Sequence, residues 1–256
     1  MWGLAQVLIT QDIHLSKTVL FGIGIVLALV PAGLWLWFFY SQDRLEPEPR
    51  GYVAAVFLLA AILEDFLAER VFDVFELGQW LPASSAALVL GSILVKGIMF
   101  SLIVWAVIRF TVFPTREFDE RMDGIVYGTA AGLGIATMLN LNYVLDSGGV
   151  LLGPGVINII VTTLAQASFG GLIGYFLGEA NFIDEPVWWM PLGIGLASVL
   201  NGAFLALSVL VKASGTGVNV ILALVLAAVV AVLTFAGLMY LMRRAIAATL
   251  RAEPVQ

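Results

Sequence analysis

Seven long apolar runs constrain what this chain can fold into. They cover residues 18–40, 52–68, 84–112, 123–144, 153–178, 187–211 and 217–242. Each is about 17 residues or longer, enough for a helix to cross the hydrocarbon of a bilayer. Backbone amides in lipid have no water to bond, so only helices and closed barrels are stable there. Barrel strands are short and alternate in polarity, whereas these runs are continuous. The expected fold is therefore an all-α integral membrane protein, a polytopic bundle of about seven transmembrane helices. The 256 residues are 61% hydrophobic and 12% charged. A soluble domain of that length could not bury so much apolar surface. The third run is overlong, which predicts a tilt or a break near Gly91 or Gly97.

Residues 1–17 read as an N-terminal interfacial segment, 18–242 as the transmembrane domain and 243–256 as a disordered tail. The start lacks the basic lead of a cleaved signal peptide. Arg44, Arg50, Arg109, Arg116, Arg121, Arg243, Arg244 and Arg251 fall at one end of the runs, and Lys17, Arg70 and Lys212 at the other. The positive-inside rule then puts the N-terminus outside and the C-terminus in the cytoplasm of a cell membrane. No internal repeat is visible, so an inverted-repeat transporter finds no support.

The chain has no cysteine and a single histidine, His14. Thiol nucleophiles and thiolate sites are excluded, and a histidine-based metal site lacks partners. No metal and no cofactor is expected. The net charge is −6 with no basic patch, so nucleic acid is not an expected partner either.

The most informative stretch is EFDERMDGIVYGTAAGLGIATMLNLNYV, residues 117–144. Phe118-Asp119-Glu120 precedes Asp123-Gly124-Ile125-Val126-Tyr127-Gly128, and a glycine-rich helix follows with Gly134, Ala136, Asn140 and Tyr143. This pattern resembles the PrsW family of glutamic-type intramembrane proteases, within the superfamily that includes the CAAX prenyl proteases. VPAGLWLWFFYSQDRLEPEP in and after the first run, LIGYFLGEANF at 172–182 and Asn201-Gly202 follow in the family's order, so the likeness spans residues 28–210. It implies a PrsW-like bundle. It also implies a water-activating set: a Glu-Glu pair followed by a Lys, a Glu directly before the Asn of the DGIVYG helix, and a His on each of the next two spans.

Most of that set is substituted in this chain. The Glu position before Asn140 is Leu139, the first His position is Gln166, the second is Asn201, and the acid four residues later is Leu205. Lys96 reads as a remnant of the family's lysine, and no Asp or Glu lies between Glu76 and Glu117. Carboxylates and imidazoles exchange protons near neutral pH, and amides do not. The resemblance therefore implies a degenerate member with no intact catalytic residue. Asp123, Gly124, Tyr127, Gly128, Asn140 and Tyr143 are retained from the motif, and Lys96, Asn140, Gln166 and Asn201 are candidates to line a polar cavity.

Each candidate has a plainer role as well. Gln166 and Asn201 can join helices through amide bonds. Asp123 suits a helix start. Tyr143 suits an interface, and Asn142 points away from Asn140 toward the outer end. The charges of 116–121 suit a loop of local ion pairs. Gly124, Gly128 and Gly132 are spaced for close contact with a sister span. Lys96 inside a span costs at least ~2.5 kcal/mol unless it is paired or reaches water; Glu64 and Asp65, near the end of the second run, are the candidates to pair with it. The stretch ILEDFLAERVFDVFELGQW reads as an amphipathic helix on the outer surface, with Leu63, Phe66, Leu67, Val71, Phe75 and Leu77 as its apolar stripe. The sharper reading makes Glu64-Asp65 a displaced catalytic pair.

The expected function is a catalytically inactive homologue that binds membrane proteins through its helices as adaptor, regulator or assembly subunit. The alternatives are an active endopeptidase with unorthodox residues, and a transporter or small-molecule binder.

Overall fold

The structure is a computed structural model and describes residues 16–42, 48–150, 154–213 and 217–252. The interfacial helix expected near the N-terminus, His14 and the last four residues lie outside these. Seven helices are long and apolar enough to cross a membrane, so the chain is a multi-pass helical membrane protein. In order they are α1 (Lys17–Gln42), α2 (Arg50–Leu63) running on into α3 (Glu69–Val74), α5 (Ser85–Gly91) running into α6 (Ile98–Thr111), α7 (Arg121–Asp146), α8 (Pro154–Phe182), α9 (Trp189–Ala213) and α10 (Gly217–Ala252). A short α4 (Leu77–Trp80) and a 3-10 turn join α3 to α5. Helix α10 continues well past Met242 to Ala252, where a disordered tail was expected. Its sequence there, RRAIAATLRA, is rich in helix formers.

Helix α7 is the axis of the bundle. It is buried from Met122 to Thr137, and α8 packs along it more closely than any other pair. The reason is the glycine stripe. A Cβ at Gly124 would meet the carbonyl oxygen of Gly174, one at Gly128 that of Gly170, and one at Gly132 that of Gln166. Without those Cβ atoms the backbones touch directly, which is how helices associate where no hydrophobic effect drives them. Gly134 serves the opposite face, where α2 comes in at Phe57 and Ala61.

The start of α7 is tied down by the retained motif. Glu120 is the N-cap and Asp123 the third helical residue; they form a reciprocal capping box, in which Asp123 accepts from the Glu120 amide at 2.6 Å. Arg121 pairs with Glu179 of α8 at 3.4 Å, and Asn181 donates to the Phe118 carbonyl at 3.2 Å. The charged segment thus caps α7 and staples it to α8, in place of the ion-pair loop expected. Tyr127 donates to the buried Glu48 carboxylate, and Tyr40 donates to the Glu48 carbonyl at 2.8 Å. Two aromatic hydroxyls therefore hold Glu48 against the bundle. Tyr127→Phe removes a donor to a buried acid and should cost about 1.5 kcal/mol. Thermal unfolding in mild detergent checks this, and an unchanged midpoint would count against it.

Two spans carry π-helical segments. The third breaks between the two glycines singled out from sequence, with a π segment at Ser92–Gly97. Gly97 fits against the Ser198 carbonyl and Gly202 against Ile93, so α9 lies directly on this bend. The second span contains a π segment at Glu64–Ala68, and this corrects the surface-helix expectation. The span runs on through Val74, and its buried face is Glu64, Ala68 and Phe72, while Phe66 is 60% exposed. Phe66, Leu67 and Phe75 of the apolar stripe face outward, Leu77 packs into the core, and Glu64 turns inward.

Candidate functional site

The second and third spans with the α4 connection between them, α7 and α9 meet around a cavity of about 740 Å³ toward the ends of the spans opposite the arginine-rich ones. Lys96, near the middle of the third span, opens into it together with Ser92 one turn earlier. Leu139 of α7 and Leu205 and Ser208 of α9 form facing walls. Phe72, Leu77, Leu81 and Leu88 close the sides, and Asp73, Ser84 and Ser85 stand on the exposed rim. The Lys96 ammonium lies 5.3 Å from the centre of the Phe72 ring, which stacks edge-on to Phe100. Lys96, Leu139 and Leu205, assigned separately from sequence to family positions, therefore share one cavity. Residues Ser92 to Val95, just before Lys96, supply no carboxylate.

The other three cavity candidates are placed differently. Gln166 and Asn201 are each 2% exposed and exchange two hydrogen bonds, at 3.0 and 3.1 Å, between α8 and α9. Asn140 donates to Thr163 at 3.0 Å and to the Ile159 carbonyl at 3.4 Å, clamping α7 to α8. None of the three lines the cavity. An amide at membrane depth is costly without partners, and these find theirs in protein rather than in an aqueous space. Asn142 and Tyr143 are half-buried near the end of α7, where Tyr143 packs on the cluster of Val144, Val150 and Ile159.

The Glu64-Asp65 pair is split by the helix. Glu64 is 0% exposed, on a segment packed against α6 and α7, while Asp65 is exposed. Adjacent helical residues point roughly 100° apart, so two carboxylates do not converge there. Sequence reasoning missed Ser92 on the cavity wall and the Ser198–Ser101 bond at 3.1 Å between α9 and α6. Single serines in apolar runs carry little signal.

The fold and site together define a polytopic helical membrane protein with an amphipathic cavity inside the bundle. The family model described as PrsW family intramembrane metalloprotease matches residues 48–238, and the chain belongs to the PrsW family. It is 30% identical to Protease PrsW of Bacillus subtilis (strain 168) over 188 residues, covering 69% of this chain and 81% of that one. Protease PrsW of Geobacillus kaustophilus is 29% identical over 60% of this chain and 65% of its own, and that of Halalkalibacterium halodurans 27% identical over 72% and 82%. No solved structure matches.

The family description names a metalloprotease, which makes the donor set around the cavity decisive for a metal. A resident divalent ion needs imidazole, thiolate or several carboxylate ligands. Among the described residues no group of three His, Cys, Asp or Glu could hold one. The cavity offers an ammonium, hydroxyls and one rim carboxylate, and the Gln166 and Asn201 amides bond each other. The described residues do not fit a metal.

Proposed function

We propose that this chain is a PrsW-family membrane protein that has retired peptide hydrolysis and binds membrane proteins without cutting them, as adaptor, regulator or assembly subunit. One observation carries the reading: the cavity walls at Leu139 and Leu205 are apolar, and the imidazole positions hold a self-satisfied amide pair. Splitting a peptide bond in the membrane needs a group that takes a proton from water. Leucine offers none, and a carboxamide does not titrate. What remains is a packed bundle whose short loops leave the spans as the contact surface, with the arginine-rich ends in the cytoplasm. The glycine stripe is not that surface, because it is already occupied between α7 and α8.

One observation favours a second reading, an active endopeptidase. Glu64 is a fully buried acid at membrane depth, and such residues commonly mark function. Co-reconstitution with single-span membrane proteins in liposomes separates the two. The expected result is that a partner co-purifies intact with the wild-type chain. New termini inside a span that vanish in Glu64→Gln would sink the first reading and establish the second.

A further inference from the structure

A second hollow opens between α1 and α2 at the arginine-rich end of the bundle, on residues that the Lys96 cavity does not share. The two helices follow one another in the chain, yet each packs mainly on α7 and not along the other, and a groove of about 510 Å³ is left between them. We propose that this groove seats an anionic phospholipid of the leaflet at that end, with the phosphate on Arg50 at the mouth and an acyl chain along Gly33, Leu36 and Ala54. This goes beyond the protein-binding reading and fails separately from it, since it concerns labelling by lipid and not cleavage or co-purification.

The walls fit a lipid chain. Gly33, Leu36 and Trp37 of α1 line one side, and Val53 and Ala54 of α2 the other. Gly33, Trp37 and Ala54 are exposed, so the groove opens sideways toward the surrounding lipid. A Cβ at Gly33 would meet nothing within 4 Å, so this mid-helix glycine leaves open space, whereas Gly124 and Gly128 admit a neighbouring backbone. The size excludes a partner helix. Gly33 to Tyr40 is about two turns, and two turns of a helix ~10 Å wide fill roughly 850 Å³, more than the groove holds. The charge selects the head. Arg50 lines the mouth, is exposed, and makes no ion pair among the described residues. No acid lines the groove among those residues, and Glu48, two positions before Arg50, turns its carboxylate into the bundle to accept from Tyr127. A planar guanidinium fork suits a phosphate, and none of the described lining residues offers a carboxylate to the ammonium of a zwitterionic head. Trp37 and Tyr40 stand at the same end, as aromatic residues do at headgroup depth.

The test is photolabelling in phosphatidylcholine nanodiscs, with phosphatidylglycerol and phosphatidylcholine probes that carry the same diazirine-bearing chain. The labelled residues are located by mass spectrometry. The expected result is about fivefold or more label from the phosphatidylglycerol probe on the peptides carrying Gly33, Leu36, Val53 and Ala54, the factor that one arginine near a lipid headgroup provides. That excess should vanish in Arg50→Gln. It should persist in Arg109→Gln, which removes an equal charge from a separate hollow between α6, α8 and α9, where the guanidinium rests on the Phe113 ring. Gly33→Leu fills the groove without meeting a neighbour and favours the helix, so it should lower labelling of the groove by both probes. Equal labelling by the two probes in the wild type overturns the proposal without needing any variant to fold. An excess that survives Arg50→Gln, or that falls equally in Arg109→Gln, reflects general attraction to a basic surface and overturns it too. Labelling of the groove that appears only after a co-purified membrane protein is stripped away assigns the groove to that protein and overturns it as well.

Discussion

A leucine at Gly128 should abolish the folded bundle. Its Cβ would meet the Gly170 carbonyl and the Gly174 Cα, both backbone atoms of α8. Overpacking costs about 1–3 kcal/mol where side chains can shift. Here the obstacle is main chain, in a contact repeated at Gly124 and Gly132, so relief requires α7 and α8 to separate along their length. The loss should exceed about 3 kcal/mol, a large share of the roughly 5–15 kcal/mol that holds a typical protein folded. Recovery by size exclusion and the melting midpoint in mild detergent are the measurements. Gly195→Leu is the control, because a Cβ at Gly195 meets nothing within 4 Å. A Gly128→Leu protein that melts with its parent would mean the two helices do not touch as described.

The second large effect is expected at the amide pair. Gln166→Leu removes two reciprocal bonds and leaves the Asn201 amide buried between α8 and α9 without its partner. A hydrogen bond between membrane helices is worth about 0.6–1.7 kcal/mol. Desolvating an orphaned polar group adds about 1–3 kcal/mol. The single change should therefore cost about 2–5 kcal/mol. The double change Gln166→Leu with Asn201→Leu should cost less than the single, because no amide is then stranded. Melting midpoints of the four proteins close the cycle. Additive losses would mean the two side chains do not depend on each other.

The long runs were legible because hydropathy over a span is a local property of consecutive residues. Seven spans overlap the seven runs, although the second continues to Val74 and the last helix to Ala252, and the third breaks between Gly91 and Gly97. The glycine stripe was legible for the same reason: residues four apart share a helix face, and a face without Cβ atoms asks for a backbone neighbour. The acidic stretch was misread. Its apolar residues suggested a helix floating on the surface, but a π segment inside a longer span carries Glu64 inward and leaves Phe66 outside. Periodicity along one helix cannot register an inserted π turn or say which side of a buried span is lipid.

The candidate site divides in the same way. The chain's own order of residues settles membrane residence and helical class, and it carries the motif together with Leu139, Gln166 and Asn201. Those are matters of composition and spacing. Which polar residues share a space is not, because it depends on how α7, α8 and α9 rotate against one another. That packing buries Asn140 on Thr163, closes Gln166 onto Asn201 and leaves Lys96 with Ser92, Leu139 and Leu205 around the open volume. The amides turned inward because a polar group in the bilayer interior is stabilised by another polar group, and the nearest ones lay on neighbouring helices.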